Sequence, residues 1–168
     1  AKSRELQNVI DVEADDLEHL SLLLEQHLAS YISDIQVIES LPALQWVAQY
    51  VEPENLSDET VVLSFDEWRV QLEEIFAGFI NANQSYSQVR FLDNNGNEIV
   101  RVNDTVSGAS VVSTDKLQNK SDRYYFQEAA KLNAGETYIS PVDLNIENGI
   151  AVFPYQPVIR YARNIRDV

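Results

Sequence analysis

Cysteine is absent from the 168 residues, which excludes disulfides, thiolate metal sites and cysteine nucleophiles together. Histidine is nearly absent. His19 and His27 are eight positions apart in a segment of helical character, too far for the single-turn spacing of a shared metal, and no metal site is expected. Basic residues are scarce as well, 12 against 27 acidic, for a formal net charge of −15. Long-range attraction to DNA, RNA or anionic lipid is therefore unfavourable, and nucleic acid is set aside as a partner. No apolar run approaches the roughly 20 residues of a membrane span. The N-terminus, AKSRELQNVIDVEADD, has no signal-peptide core and does not begin with Met. Together with the abrupt ends, this reads as a fragment of something larger. A Gly-x-Ser-x-Gly element, a Cys-His pair and a phosphate-cradling glycine loop are all missing, so neither an enzyme nor a cofactor is expected.

What is present is enough for one domain with a real core, or one domain plus a helical extension. Leu6, Val9/Ile10, Leu17, Leu20, Leu24, Leu28, Tyr31, Ile35 and Ile38 recur in steps of three and four, broken once at Glu13. The spacing predicts a helix from about Arg4 to Glu39, roughly 50 Å long at about 1.5 Å per residue. Two readings stand side by side: a helix laid along its own domain's core, or one whose exposed part is a dimerisation stalk. Ser40 is expected to cap a second short helix, with Pro42 in its first turn, running to about Tyr50. The expected division is residues 1–52 for these two helices and 53–168 for a lobe cut short at its C-terminal end.

In that lobe Glu52 to Asp58 reads as a loop. Ser64-Phe65-Asp66-Glu67 then forms a capping box opening a core helix with Trp68, Leu72, Ile75, Phe76, Phe79 and Ile80 on one face. After Asn83 the period changes to two. Tyr86–Leu92 and Ile99–Val102 are strands joined by Asp93-Asn94-Asn95-Gly96-Asn97, residues that tolerate positive φ. This acidic turn lacks the rest of a calcium-loop ligand series and is read as a plain hairpin. Thr105–Thr114 is a loop or a strand. A short helix from about Asp122 to Leu132 stops at Asn133-Ala134-Gly135. Glu136–Ser140, Ile150–Phe153 and Val158–Ile165 supply further strands, the last without an evident partner. Helices first, then a hairpin, one inserted helix and more strands is the α+β pattern of an antiparallel sheet with helices on it.

The remaining chemistry is that of a binding site. Arg123 stands near the start of the short helix, where free amides and a planar guanidinium both favour a carboxylate. Tyr125 and Phe126, with Tyr124, supply aromatic walls, and Tyr138 and Asp143 add a hydroxyl and a carboxylate from the next strand and loop. The competing reading pairs Arg123 with Asp122 or Glu128 on the surface and puts the aromatics in the core. Arg160 and Arg163, three apart on a strand, face opposite sides, so at most one looks into a pocket.

The FLDNNGNEIVRV hairpin, the DRYYFQEA helix, GETYIS, DLNIENG and PVIRYA resemble, in that order, the Cache sensor lobes of bacterial histidine kinases, diguanylate cyclases and chemoreceptors. The resemblance covers roughly Tyr86 to Ile165. It implies a PAS-like lobe, often one of two, lying outside the cytoplasmic membrane, tethered to it, and non-catalytic. It also implies a small metabolite bound between sheet and helix, and a homodimer through the N-terminal helix. The amino-acid-binding branch of that family looks like Arg-x-Trp-(Tyr/Phe). Here Arg123, Tyr125 and Phe126 match in part, Tyr replacing Trp and Gln118 standing where a Tyr is expected. A carboxylate metabolite fits the retained Arg123; otherwise the lobe relays a signal mechanically. A stand-alone solute-binding or scaffold module is the alternative function.

Overall fold

A computed structural model describes residues 2–51, 63–133, 135–147 and 149–165, with side chains from residue 12 onward. The chain divides into two compact units, Ala1–Gln36 and Val37–Val168. Helix α1, Lys2–Glu39, runs through the first unit and into the start of the second. Helix α2 is Pro42–Val51 and α3 is Phe65–Ala82. Ser40 does not cap α2: its hydroxyl donates back to the Val37 carbonyl at 2.7 Å, closing α1, while the first turn of α2 hangs on the Leu41 carbonyl. The loop expected at Glu52–Asp58 lies outside the described residues.

The capping box opens α3 as the sequence predicts, with Ser64 and Glu67 satisfying each other's amides. Leu72, Phe76 and Ile80, four apart, form the inward ridge of α3 and are buried. They pack on Leu44 and Val47 of α2 and on one face of a three-stranded antiparallel sheet. The sheet comprises β1 (Gln88–Leu92), β2 (Glu98–Thr105) and β3 (Gly108–Val111), so the ambiguous stretch after Thr105 is a strand. Val100 and Val102 of β2 look into this core with Val89 and Phe91 of β1. Each large side chain so buried contributes about 1.5–3 kcal/mol. Alternation sends the residues between them, Gln88, Arg90 and Arg101, to the opposite face.

That opposite face carries the second half of the chain. After a single 3-10 turn at Thr114–Lys116 comes α4, Tyr124–Ala129, then β4 (Thr137–Ile139), β5 (Asp143–Leu144), β6 (Ile146–Glu147), β7 (Ile150–Ala151), β8 (Pro157–Val158) and β9 (Tyr161–Arg163). These pair antiparallel as β4–β9, β5–β8 and β6–β7, so the strand expected at Val158–Ile165 does have a partner, β4. α4 is shorter than predicted. Past Ala129 the bonds from Lys131 to Glu128 and from Leu132 to Ala129 are three-residue turns, which carry the chain on without further α-helix.

Candidate ligand site

Arg123 is the N-cap residue of α4, in extended conformation, and its side chain makes no capping bond. A six-residue helix offers little dipole, and what Arg123 touches is aromatic: its guanidinium lies 5.9 Å from the centroid of the Tyr125 ring. Arg160 covers the same ring at 4.9 Å. Tyr125 is therefore buried with two cations against its ring, a favourable arrangement for the π system. Burial pushes its phenol pKa up, against the pull of Arg90, Arg160 and Arg123. Tyr124 stands edge-on to Tyr125 at 5.7 Å and donates its hydroxyl to Asp143 Oδ2 at 3.1 Å.

Arg160 Nη1 lies 3.4 Å from the same Asp143 oxygen, and its Nη2 donates to the Leu144 carbonyl at 3.2 Å. The Leu144 amide, then Tyr124, Arg160 and Arg123, hold the Asp143 carboxyl below its usual range although burial opposes them. Tyr138 is half-buried on β4, its phenol pushed up by burial and by Tyr124 and Glu128 nearby. Phe126 is half-buried; the ring contacts of the cluster run through Tyr124 and Tyr125 instead. The expected surface partner Glu128 pairs with Lys131 at 2.6 Å. Arg163 turns away to Glu39 and Thr137, so of Arg160 and Arg163 it is Arg160 that joins the cluster.

A second and more buried cluster was not anticipated. Arg90 and Arg101 are cross-strand partners on β1 and β2. A register shift between Phe91 and Leu92 brings Glu98 round to their side, where its carboxylate, fully buried, takes Arg90 Nη1 at 2.9 Å and Arg101 Nη1 at 3.1 Å. The Gln118 amide donates to Glu98 Oε2 at 3.0 Å, while the Glu98 amide donates to the Gln118 carbonyl at 2.9 Å. Lys120, fastened by its amide to the Gly96 carbonyl at 2.7 Å, sends Nζ into the same space.

Glu147 of β6 completes the cluster. Its Oε1 accepts from Gln88 Nε2 at 3.1 Å; its Oε2 accepts from Gln118 Nε2 at 3.1 Å and lies 3.2 Å from Arg101 Nη1 and 3.4 Å from Lys120 Nζ. Burial works to raise the Glu147 pKa, yet Gln88, Lys120, Arg90 and Arg101 together hold it down. Burial likewise lowers the pKa of Lys120, with Glu147 pulling it back up. Two cavities open here. One of about 440 Å³ is lined by Arg101, Asp115, Lys116, Leu117, Gln118 and Glu147. The other, about 310 Å³, is lined among others by Gln118, Lys120, Arg123 and Ile146. Of the five residues predicted from sequence, Arg123 lines the second cavity; Tyr125, Phe126, Tyr138 and Asp143 line neither. Among the described residues no group of His, Cys, Asp and Glu is placed to hold a metal.

This sheet, with helices on one face and a ligand-sized, charge-lined layer on the other, agrees with what sequence comparison finds: the family model for the sensor domain of bacterial histidine kinases matches residues 39–166. The chain belongs to that family. The solved structures place the same fold in signalling proteins. The sensor domain resembles a domain of a candidate sensory box/GGDEF family protein from Vibrio parahaemolyticus, with a TM-score of 0.67, 23% identity, and coverage of 84% of this chain and 49% of the other. It equally resembles the extracellular domain of a candidate histidine kinase, vpHK1S-Z8, with a TM-score of 0.67, 23% identity, and coverage of 84% and 47%. The sensor domain thus spans about half the length of either structure. No curated protein matches the chain. Among the described residues, no helix is long and apolar enough to cross a membrane.

Proposed function

We propose that this sensor domain is a Cache-type lobe that binds a small metabolite outside the cytoplasmic membrane and reports it to a kinase, cyclase or chemoreceptor module of the same receptor. The observation that carries this is the concentration of buried cations against one sheet face beside open cavities, in a chain whose net charge is −15. Such a layer is a poor way to gain stability, because well-packed apolar groups of like volume often stabilise as much or more. A receptor for an anion needs it. The extracellular location named for vpHK1S-Z8 supports the same placement here. Output would pass through a homodimer of α1, whose Leu17, Leu20 and Leu24 are each about 60% or more exposed. A ligand that binds one arrangement of that dimer better than another shifts its population.

The test is a thermal-shift screen of the domain against carboxylates, amino acids, amines and sugars. A ligand at a hundred times its dissociation constant stabilises the fold by about 2.7 kcal/mol. A hit that weakens at least tenfold in Arg123→Ala, with the unliganded melting temperature little changed, is expected. Silence across the whole panel in a well-folded domain would remove the direct-sensor function and favour mechanical relay.

A further inference from the structure

Arg101 is over nine-tenths buried, its side chain 8% exposed, and meets both Glu98 and Glu147 through Nη1 alone. Its Nε is buried and has no acceptor among the described residues. An arginine frequently grips a carboxylate through two parallel N–H bonds, and leaving a buried N–H without an acceptor is costly. Glu147 is thus an incomplete partner. The two carboxylates also differ. Glu98 is wholly buried within the hairpin that carries both arginines, and the Gln118 amide fixes it there. Glu147 arrives from β6, remains 21% exposed at its side chain, and lines the larger cavity next to Arg101. The ion pairs are also uneven: among the described residues, three cations, Arg90, Arg101 and Lys120, share the two carboxylates of Glu98 and Glu147.

We infer that the place held by the Glu147 carboxylate is a binding site for a small free carboxylate, and that Glu147 is a tethered occupant which the ligand displaces. The incoming group inherits the donors on Gln88, Gln118, Arg101 and Lys120 and, being untethered, turns to take the idle Nε edge of Arg101 as well. Its remainder lies in the cavity lined by Leu117 and Lys116, with Gln118 shared between this cavity and the one that Arg123 lines. The ligand class follows from the present occupant: these donors already hold a carboxylate, and the guanidinium fork accepts one bidentately. Displacement also supplies a readout, since β6 loses its hold on the sheet when the ligand arrives. This inference rests on the sensor function proposed above and names its ligand class.

Calorimetric titration of the domain with acetate, succinate and inorganic phosphate, at constant ionic strength set with sodium chloride, tests it. Glu147→Gln removes the tethered competitor, and acetate or succinate is expected to bind at least tenfold more tightly than to the parent, with phosphate weaker than either. Arg101→Lys keeps the buried charge but lacks the fork, and is expected to abolish the gain in the Glu147→Gln background. If Glu147→Gln does not fold alone, acetate at tens of millimolar is expected to restore a cooperative melt, and failure to do so overturns the inference. Equal carboxylate affinity in parent and Glu147→Gln also overturns it; should that binding still be lost in Arg123→Ala, the sensor function survives without it. Phosphate binding better than both carboxylates overturns the ligand class. No binding by a folded Glu147→Gln variant overturns the site, and the sensor function then stands or falls on the wider screen.

Discussion

Arg90 and Arg101 stand directly opposite each other on the antiparallel pair β1–β2, two like charges at a position where opposed charges would be stabilising. Glu98 makes the pairing tolerable by bonding both guanidinium groups from a side chain with no exposure. Glu98→Gln keeps the shape and removes the charge. Breaking a buried ion network from one side costs about 3–5 kcal/mol, because the remaining charges stay buried without compensation. Urea unfolding is expected to show a loss of that size at unchanged slope. A loss under about 1 kcal/mol, the range of exposed pairs, would mean that the arginines are solvated and not held by Glu98.

Acid is expected to destabilise the fold through Glu147 more than through any surface carboxylate. Cations and amide donors hold the folded pKa of Glu147 below its ordinary value despite burial. A depressed carboxylate contributes stability that is fully present above its unfolded pKa, about 4.3 for glutamate, and is lost as pH falls through the folded value. Asp143 is shifted the same way by the Leu144 amide, Tyr124 and the arginines, but solvent screens it more. Urea midpoints measured from pH 7 down to pH 3 are expected to fall, and to fall less steeply in Glu147→Gln. Parallel curves for the two proteins would place the acid sensitivity elsewhere.

Local patterns in the sequence carry α3, its capping box and the Asp93–Asn97 turn, because each depends on residues within a few positions. The binding layer depends on distant ones. Glu98 and Arg101, three apart, read as opposite faces of a strand, and only the bulge against Phe91 and Leu92 turns them together. Glu147 reaches Arg101 from 46 positions away, and no periodicity announces that. Gly96 shows the same division. Its positive φ of 78° fits the turn chemistry, whereas its contact with Ser121, whose amide nitrogen would lie 2.6 Å from an added Cβ, comes from the loop that positions Lys120. Opposite facing of Arg160 and Arg163 is legible from their spacing; that Arg160 is the one over Tyr125 follows only from the pairing of β4 with β9.

The exposed stripe on α1 makes a separate prediction about assembly. Leu17, Leu20 and Leu24 are 68%, 61% and 60% exposed and, with Leu28 and Tyr31, follow the three-four spacing of a coiled-coil seam. Burying a leucine of this kind in a partner helix gains about 1.5–3 kcal/mol, so a few per helix suffice for a specific pair. Sedimentation equilibrium is expected to show concentration-dependent dimers. Glu is a good helix former, so the double substitution Leu20→Glu, Leu24→Glu keeps α1 helical while setting like charges across the seam. The dissociation constant is expected to rise at least tenfold, about 1.4 kcal/mol, with helical circular dichroism unchanged. If dimers form equally well with both leucines replaced, the association runs through the Val37–Val168 unit, and α1 is not the element that carries the signal between protomers.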